Sequence, residues 1–568
     1  MYNGFMTIKH LSQYFSQLES TTKRLEMTQI LSELLKESDS SEISSVCFLS
    51  LGAIGPQYED LKFNVAEKMM IKVLAKAFDK SREDVLSMYK EIGDLGDAAR
   101  KLHKEGGGGK VPVNEVFERL KEIAKISGKG SQEEKVEKLS SLLKSLDPLS
   151  ARYVTRVVLG TMRLGFSDIT LIEGLSWMLR GDKSVKSDIE CKYRVHPNVG
   201  NIAKVIKEYG LSGIEKIDVE AGVPLLLAKA QRVSRPEEIL QKQRRSISEN
   251  KYDGTRIQVH INKSRSLVKT YTRNLEETTN MFPDLIKQIP NSVKAYSVIL
   301  DGEAVGYNPG TGKFVPFQIT MQRKRKYNVK ETAQKIPLRI IFFDILYKDG
   351  ESLISKPFLV RRGILKDTVR ENDDIKIAPD TSVQDVTDVR RSFKAALDKE
   401  LEGIVVKDLE SPYQIGARGF AWIKMKRELD TVDCVVMGYY AGTGQRAKFG
   451  MGGFLAGVYD DRKDKFVTVT KVGSGFTEDQ LSELKRRCDK IKVGEIPSQY
   501  DVPKELVCDV WVYPKIVVSI KSNEITESPI HTAKFALRFP RLEDFRDDKA
   551  PQDATTLGEL KKMYEVQF

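Results

Sequence analysis

The sequence predicts a multi-domain chain, all-α in its first third, α+β in its middle and a small β-barrel at its end. Three observations carry this expectation. The 568 residues are too many for one hydrophobic core. Apolar residues recur at helical spacing to about residue 215 and at strand spacing beyond about residue 220. A further change at Thr431 brings short strands separated by glycine-rich turns.

In the first third, Leu11, Tyr14, Phe15 and Leu18 follow the i, i+3, i+4, i+7 pattern of one helix face. Leu25, Ile30, Leu31, Leu34 and Leu35 continue it after a break, and Leu139, Leu142 and Leu143 repeat it. Ser131-Gln-Glu-Glu134 reads as a capping box, with Ser131 as the N-cap. In the middle, β-rich runs alternate with turns: Arg256–Ile261, Tyr296–Leu300, Arg339–Leu346 and Gly403–Val406. A helix around Val389–Leu397 interrupts them. At the end, Val432–Tyr440, Phe454–Tyr459 and Phe466–Val472 read as strands of the small barrel. The expected boundaries are 1–218, 219–428 and 429–568.

Composition bounds the function. Hydrophobic residues at 40% and charged residues at 30% are ordinary for a globular chain. No run approaches the ~18–20 apolar residues of a membrane span, and MYNGFMTIKH lacks the features of a signal peptide. The five cysteines form no C-x-x-C pair, so neither a disulfide framework nor a zinc site is indicated, and a reducing cytoplasm is the expected setting. With 92 Lys+Arg against 80 Asp+Glu, the net charge of +12 favours a polyanionic partner.

The chemistry concentrates in short blocks. Glu249-Asn-Lys-Tyr-Asp-Gly-Thr-Arg256 places a lysine at a strand edge, where neighbouring cations and burial would lower its pKa and make the amine a nucleophile. Taken alone it reads equally well as a surface lysine before an Asp-Gly turn. Val298-Ile-Leu-Asp-Gly-Glu303 runs an apolar strand into two carboxylates, hard ligands suited to Mg²⁺. Phe342-Phe343-Asp344 ends another apolar strand, where an aromatic could stack on a base. Glu402-Gly-Ile-Val-Val-Lys407 sets an acid and a base at opposite ends of a short strand. In Trp422-Ile-Lys-Met-Lys426, period-2 alternation puts Trp422, Lys424 and Lys426 on one face, a row suited to a triphosphate. Singly, each of the later blocks has an ordinary structural reading. Glu105-Gly-Gly-Gly-Gly-Lys110 lacks the Gly-Lys-Ser/Thr ending of a phosphate loop, because Val111 follows the lysine, and reads as a flexible or DNA-facing loop or, equally, a plain linker; His260, on a strand between Val259 and Ile261, is expected to face solvent.

In this order the blocks resemble the covalent nucleotidyltransferases: ATP-dependent DNA ligases, RNA ligases and mRNA capping enzymes. Arg538-Phe-Pro-Arg541 followed by Arg546-Asp-Asp-Lys549 looks like the last motif of the DNA ligases. Leu18-Glu-Ser-Thr-Thr-Lys-Arg-Leu-Glu26 and Leu159-Gly-Thr-Met-Arg-Leu-Gly165 resemble the helical DNA-binding domain of archaeal and eukaryotic replicative ligases, which capping enzymes lack.

The resemblance therefore implies a helical DNA-binding domain, an adenylation domain and an OB-fold, together sealing nicks in duplex DNA. It implies ATP as the AMP donor and Mg²⁺ as the divalent ion, with Mn²⁺ as the alternative. It makes the chain a monomer that a sliding clamp could recruit. Lys251 would be adenylated and Glu249 would read the adenine amino group. Arg256 and Arg273 would contact the nucleotide and the nick phosphate, and Phe343 would stack on adenine. Glu303 would contact the ribose or the metal, Glu402 would hold the metal, and Arg418, Lys424 and Lys426 would contact the phosphates. Arg546 and Lys549 would orient the departing pyrophosphate.

Three features depart from the family pattern. Pro224-Leu-Leu-Leu-Ala228 stands where relatives carry a basic residue and proline, Ser519 where a glutamate is usual, and Asp544 where a basic residue is common. None removes a catalytic group. An RNA ligase or capping enzyme is disfavoured by Glu249 and the helical third. A non-catalytic DNA clamp is disfavoured by the intact set Lys251, Glu303, Glu402, Lys424 and Lys426.

Overall fold

The computed structural model describes residues 5–103, 110–162, 164–323, 328–426, 431–442 and 444–565. The glycine-rich Glu105–Gly109 segment and Arg163 lie outside them. The chain forms two compact units, Met1–Ala396 with Leu401–Met425, and Leu397–Glu400 with Lys426–Phe568.

The first unit begins with helices, from Ile8–Glu19 to Val199–Ile214. Their starts are chemically marked. Thr7 accepts from the His10 amide, Ser81 and Asp84 form a reciprocal capping box, and Asp147 caps a helix whose first residue is Pro148. The predicted faces close one core: Leu11, Phe15, Leu18, Leu31, Leu34, Leu35, Leu139, Leu142 and Leu143 are all buried. Two local expectations fail. Leu25, in the first turn of its helix, is exposed. The helix at Ser131 takes Gly130 as its N-cap, at φ 83°, so Ser131 is already helical and caps nothing.

Strands follow. A five-stranded sheet contains β1 (Lys229–Arg232), β2 (Ser246–Lys251), β9 (Asp380–Val383), β10 (Gly403–Asp408) and β11 (Arg418–Lys426), in the order β1-β11-β10-β2-β9. A six-stranded sheet contains β3 (Thr255–Asn262), β4 (Leu267–Thr272), β5 (Ser297–Gly306), β6 (Leu338–Lys348) and β7 (Glu351–Ser352) in the order β4-β3-β5-β6-β7, with β8 (Ile375–Ile377) beside β6. Chain-adjacent β2 and β3 belong to different sheets, so the turn Tyr252-Asp253-Gly254 crosses from one to the other. Gly254 is required there: a Cβ would lie 2.5 Å from the Ala304 carbonyl oxygen.

Phe342-Phe343-Asp344 lies inside β6 rather than at its end, because the strand continues past two register shifts to Lys348. Phe342 faces the core of the six-stranded sheet and Phe343 the opposite side. His260 does not face solvent. Alternation on β3 does separate it from Val259 and Ile261, but residues 219–228 cover its face. The Gly222 amide donates to His260 Nδ1 at 3.1 Å, and Leu225 exchanges two hydrogen bonds with Gln258. Burial pushes the His260 imidazole down to about 3, so it is neutral. The atypical Pro224–Ala228 segment is thus a cover strip, with Leu225, Leu227 and Ala228 buried.

The second unit is built on a curled sheet containing β12 (Val432–Tyr440), β13 (Gly453–Asp460) and β14 (Lys465–Val472), where strands were expected. β12 pairs β13 on one side and, on the other, Val510–Val512 and Val517–Lys521 at different points along its length. The strand Arg541–Phe545 pairs with Val517–Lys521, and the helix Glu478–Asp489, capped by Thr477 and Gln480, packs on the core.

Candidate active site

Lys251 is the last residue of β2, opposite Gly403 of β10. Glu402 is therefore its neighbour. The Glu402 amide donates to the Lys251 carbonyl at 3.2 Å, and the two side chains form an ion pair. From the other sheet, β5 presents Glu303, opposite Arg256 of β3. Burial raises the Glu303 carboxyl to about 7, with Lys251 and Arg256 opposing that rise. Burial also lowers the Lys251 ammonium, with Glu303 and Asp253 raising it and Arg256 and Arg273 lowering it further.

Further cations surround Lys424, which lies near this amine. Lys424 of β11 is lowered to about 8, by burial first and then by Lys251, Arg418, Arg273 and Arg232. Arg273 and Arg418 are exposed, and Lys426 ends the same strand two positions beyond Lys424. Arg232, opposite Lys424 across β1 and β11, was not singled out by the sequence. It lies on a four-residue strand with no periodicity to mark it.

Two sequence-derived groups are not open to ligand in the way their motifs suggest. Asp301, the first acid of Asp-Gly-Glu, is fully buried. Its two oxygens take Arg256 Nε at 3.0 Å and Nη2 at 2.6 Å, and Tyr413 Oη at 2.7 Å. Glu303 is thus the acid of that block left facing the amine. Arg256 also donates to the Ala228 carbonyl at 2.6 Å and to Tyr413 at 3.2 Å, which occupies four of its five N–H groups.

Glu249 is buried, two residues before the lysine on the same strand. Lys407 reaches its Oε2 at 2.7 Å and Arg362 its Oε1 at 3.2 Å, and Oε1 makes no hydrogen bond. Burial pushes the Glu249 carboxyl up, against the pull of Lys407 and Arg362. The Lys407 ammonium also lies 4.5 Å from the Phe343 ring centre and 4.3 Å from that of Trp422. Lys407 and Arg362 hold Glu249, a role the sequence did not mark. Only the fold turns them toward Glu249.

In the second unit, Arg546 and Lys549 meet one carboxylate. Asp433 Oδ2 lies 2.8 Å from Arg546 and 2.7 Å from Lys549.

Comparison with known proteins agrees with this architecture. Residues 7–176 match the family description "DNA ligase N terminus", 227–426 "ATP dependent DNA ligase domain", and 447–549 "ATP dependent DNA ligase C terminal region". A "Probable DNA ligase" of Dictyoglomus turgidum is 42% identical over 575 residues, covering 99% of this chain and 98% of that protein. The chain belongs to the ATP-dependent DNA ligase family.

Other relatives of this ligase include "DNA ligase 2" of Thermofilum pendens, 40% identical, and "DNA ligase" of Sulfolobus acidocaldarius, 36% identical. Each alignment covers 99% of the ligase and 98% of the relative. A solved structure named Pmar-Lig_PreS3 shares the fold, with a TM-score of 0.55 at 16% identity, covering 94% of the ligase and 99% of that chain. The ligase is accordingly a multi-domain enzyme with an N-terminal helical domain, an adenylation domain and a C-terminal domain. Among the described residues no helix is long and apolar enough to cross a membrane.

Proposed function

We propose that this ligase seals nicks in duplex DNA through an AMP group carried on Lys251. The observation that carries the assignment is the setting of the Lys251 amine, flanked by Glu402 and Glu303, with Arg256, Arg273 and Lys424 near it. Burial among cations favours the neutral amine that must attack. Lys251 Nζ bonds to the α-phosphorus of ATP while the bond to the β-phosphate oxygen breaks and pyrophosphate leaves. A 5′-phosphate oxygen at the nick then takes the AMP group, breaking the P–N bond and restoring the amine. The 3′-hydroxyl attacks that 5′-phosphorus, and AMP departs with the bridging oxygen.

The other residues have matching roles. Glu249 is fixed by Lys407 and Arg362, and its Oε1 keeps capacity to accept from the adenine amino group. Phe343 supplies the ring face for the base. Arg256, anchored on Asp301, has one N–H left for the nucleotide. Arg273, Arg418, Lys424 and Lys426 offset charge on the phosphates and on the nick. Glu303 and Glu402, two hard carboxylates flanking the amine, fit a divalent ion, Mg²⁺ or alternatively Mn²⁺. When bound, such an ion supplies charge neutralisation at the transferring phosphate.

The domain reading is 1–218 for DNA binding, 219–428 for adenylation and 429–568 for an OB-fold. The curled sheet in which β12 serves three partner strands, with the helix Glu478–Asp489 packed on its core, supports the OB assignment. Arg546 and Lys549 orient the pyrophosphate during the first step only. The helical domain grips duplex phosphates without reading sequence. The test is labelling with ATP carrying a radioactive α-phosphate. Wild type forms an acid-labile covalent adduct and Lys251→Ala forms none. Labelling of the variant would remove Lys251 as the nucleophile.

A further inference from the structure

The two basic residues of the last block are not idle in this structure. Asp433, second residue of β12, has a side chain only 9% exposed. Its Oδ2 lies 2.7 Å from Lys549 Nζ and accepts from Arg546 Nη1 at 2.8 Å. Arg546 is further held by Asp548, through Nε at 2.9 Å and Nη2 at 2.7 Å. The Asp433 main chain is fixed from both sides: its amide donates to Thr555 Oγ1 and its carbonyl accepts from the Thr555 amide, each at 2.9 Å. Asp433 Oδ1 is buried without a hydrogen-bond partner.

Any triphosphate that engages Arg546 and Lys549 must therefore exchange phosphate oxygens for Asp433. The backbone clamp prevents the carboxylate from following the cations. Once they leave, the carboxylate stays behind without its two ion pairs and with one oxygen already lacking a partner, which disfavours their departure. That preference draws the cations back when pyrophosphate has gone.

We propose that Asp433 is a positioning residue that stows Arg546 and Lys549, and that its competition with phosphate sets the ATP dependence of self-adenylation. This rests on the role given above to Arg546 and Lys549. Asp433→Asn keeps the shape and removes the charge. In the full-length protein, with melting temperature and nicked-DNA binding as controls, single-turnover self-adenylation is followed against ATP concentration. Half-saturation is expected at about fivefold lower ATP, the scale of a partly exposed ion pair, with the maximal rate within about twofold. Sealing of a nick that already carries 5′-AMP uses no ATP and is expected to stay within about twofold of wild type. Asp433→Glu, which keeps the charge, is expected to hold wild-type half-saturation, and in a Lys549→Met background the gain from D433N is expected to shrink. Should D433N fail to fold, Asp433→Ser carries the same measurement.

Lys549→Glu separates the two readings. If it leaves self-adenylation intact, the role of the last block fails. If it impairs self-adenylation while D433N leaves half-saturating ATP unchanged or raises it, Asp433 is a purely structural acid and the proposal is overturned. A D433N gain that appears equally in both chemical steps overturns it too.

Discussion

At the scale of single residues, the site separates groups that act from groups that hold. Glu402 is ion-paired with Lys251, the proposed nucleophile. Glu402→Ala is expected to lower ligation on the order of 10²-fold, the size of losing one electrostatic contact to a transition state. Nicked-DNA binding, measured by band shift, is expected to change little. Wild-type rates for the variant in excess Mg²⁺ would make Glu402 structural. His260 holds. Its folded pKa of about 3 lies below the ordinary 6.5, so between those values the unfolded chain binds a proton that the native chain refuses. Stability from this group is full above pH 6.5 and is lost as pH falls toward 3. Thermal melts from pH 7 to pH 4 are expected to fall less steeply for His260→Leu than for wild type, although the variant starts less stable because the Gly222 amide loses its acceptor. Parallel slopes would show that His260 can protonate in place.

At the scale of elements, the proposed role of Lys251 depends on how tightly β2 turns into β3. Lys251 ends one strand, Arg256 lies near the start of the next, and the turn crosses between sheets. A Cβ on Gly254 would press on backbone, the Ala304 carbonyl, and also lie 3.0 Å from Glu303 Cγ. Gly254→Ala is therefore expected to displace Lys251 relative to Glu303. Self-adenylation should fall on the order of 10²-fold, as ångström-scale misplacement of reacting groups does, with the helical domain unaffected by circular dichroism. Full activity in the variant would show that the turn relaxes without moving the amine. The same scale explains the miss at Ser131. A capping box needs the serine outside the first turn, and a left-handed Gly130 pulled it inside.

At the scale of the whole molecule, the helical third has a core of its own, drawn from residues between Met6 and Ile214. A fragment ending near residue 218 is expected to fold alone and to bind duplex DNA weakly. Its affinity should drop steeply between 50 and 200 mM salt, roughly in proportion to the phosphates it neutralises. A fluorescence anisotropy titration at several salt concentrations measures this, and salt-insensitive binding would argue against a phosphate grip. The charge surplus of 92 basic over 80 acidic residues is consistent with that grip. It does not locate it.

By itself the sequence determined the order of parts and marked Lys251 as the candidate nucleophile. Helical and strand periodicity are local, so Leu11 to Leu18, β3, β10 and β12 were legible where they stand. The blocks around Lys251, Glu303, Glu402 and Lys424 were legible because each is short and contiguous. Tertiary structure decided everything that needed a partner far along the chain. Alternation told which face of β3 carries His260, but not that residues 219–228 would cover it. Asp301 and Glu303 look alike in sequence. Tyr413, 112 residues from Asp301, and Arg256 bury the first and leave the second to the site. Asp433 and Arg546 are 113 residues apart, and no local pattern joins them. Burial and ion pairing are properties of what packs against a residue, and a period of 2 or 3.6 residues fixes only its direction.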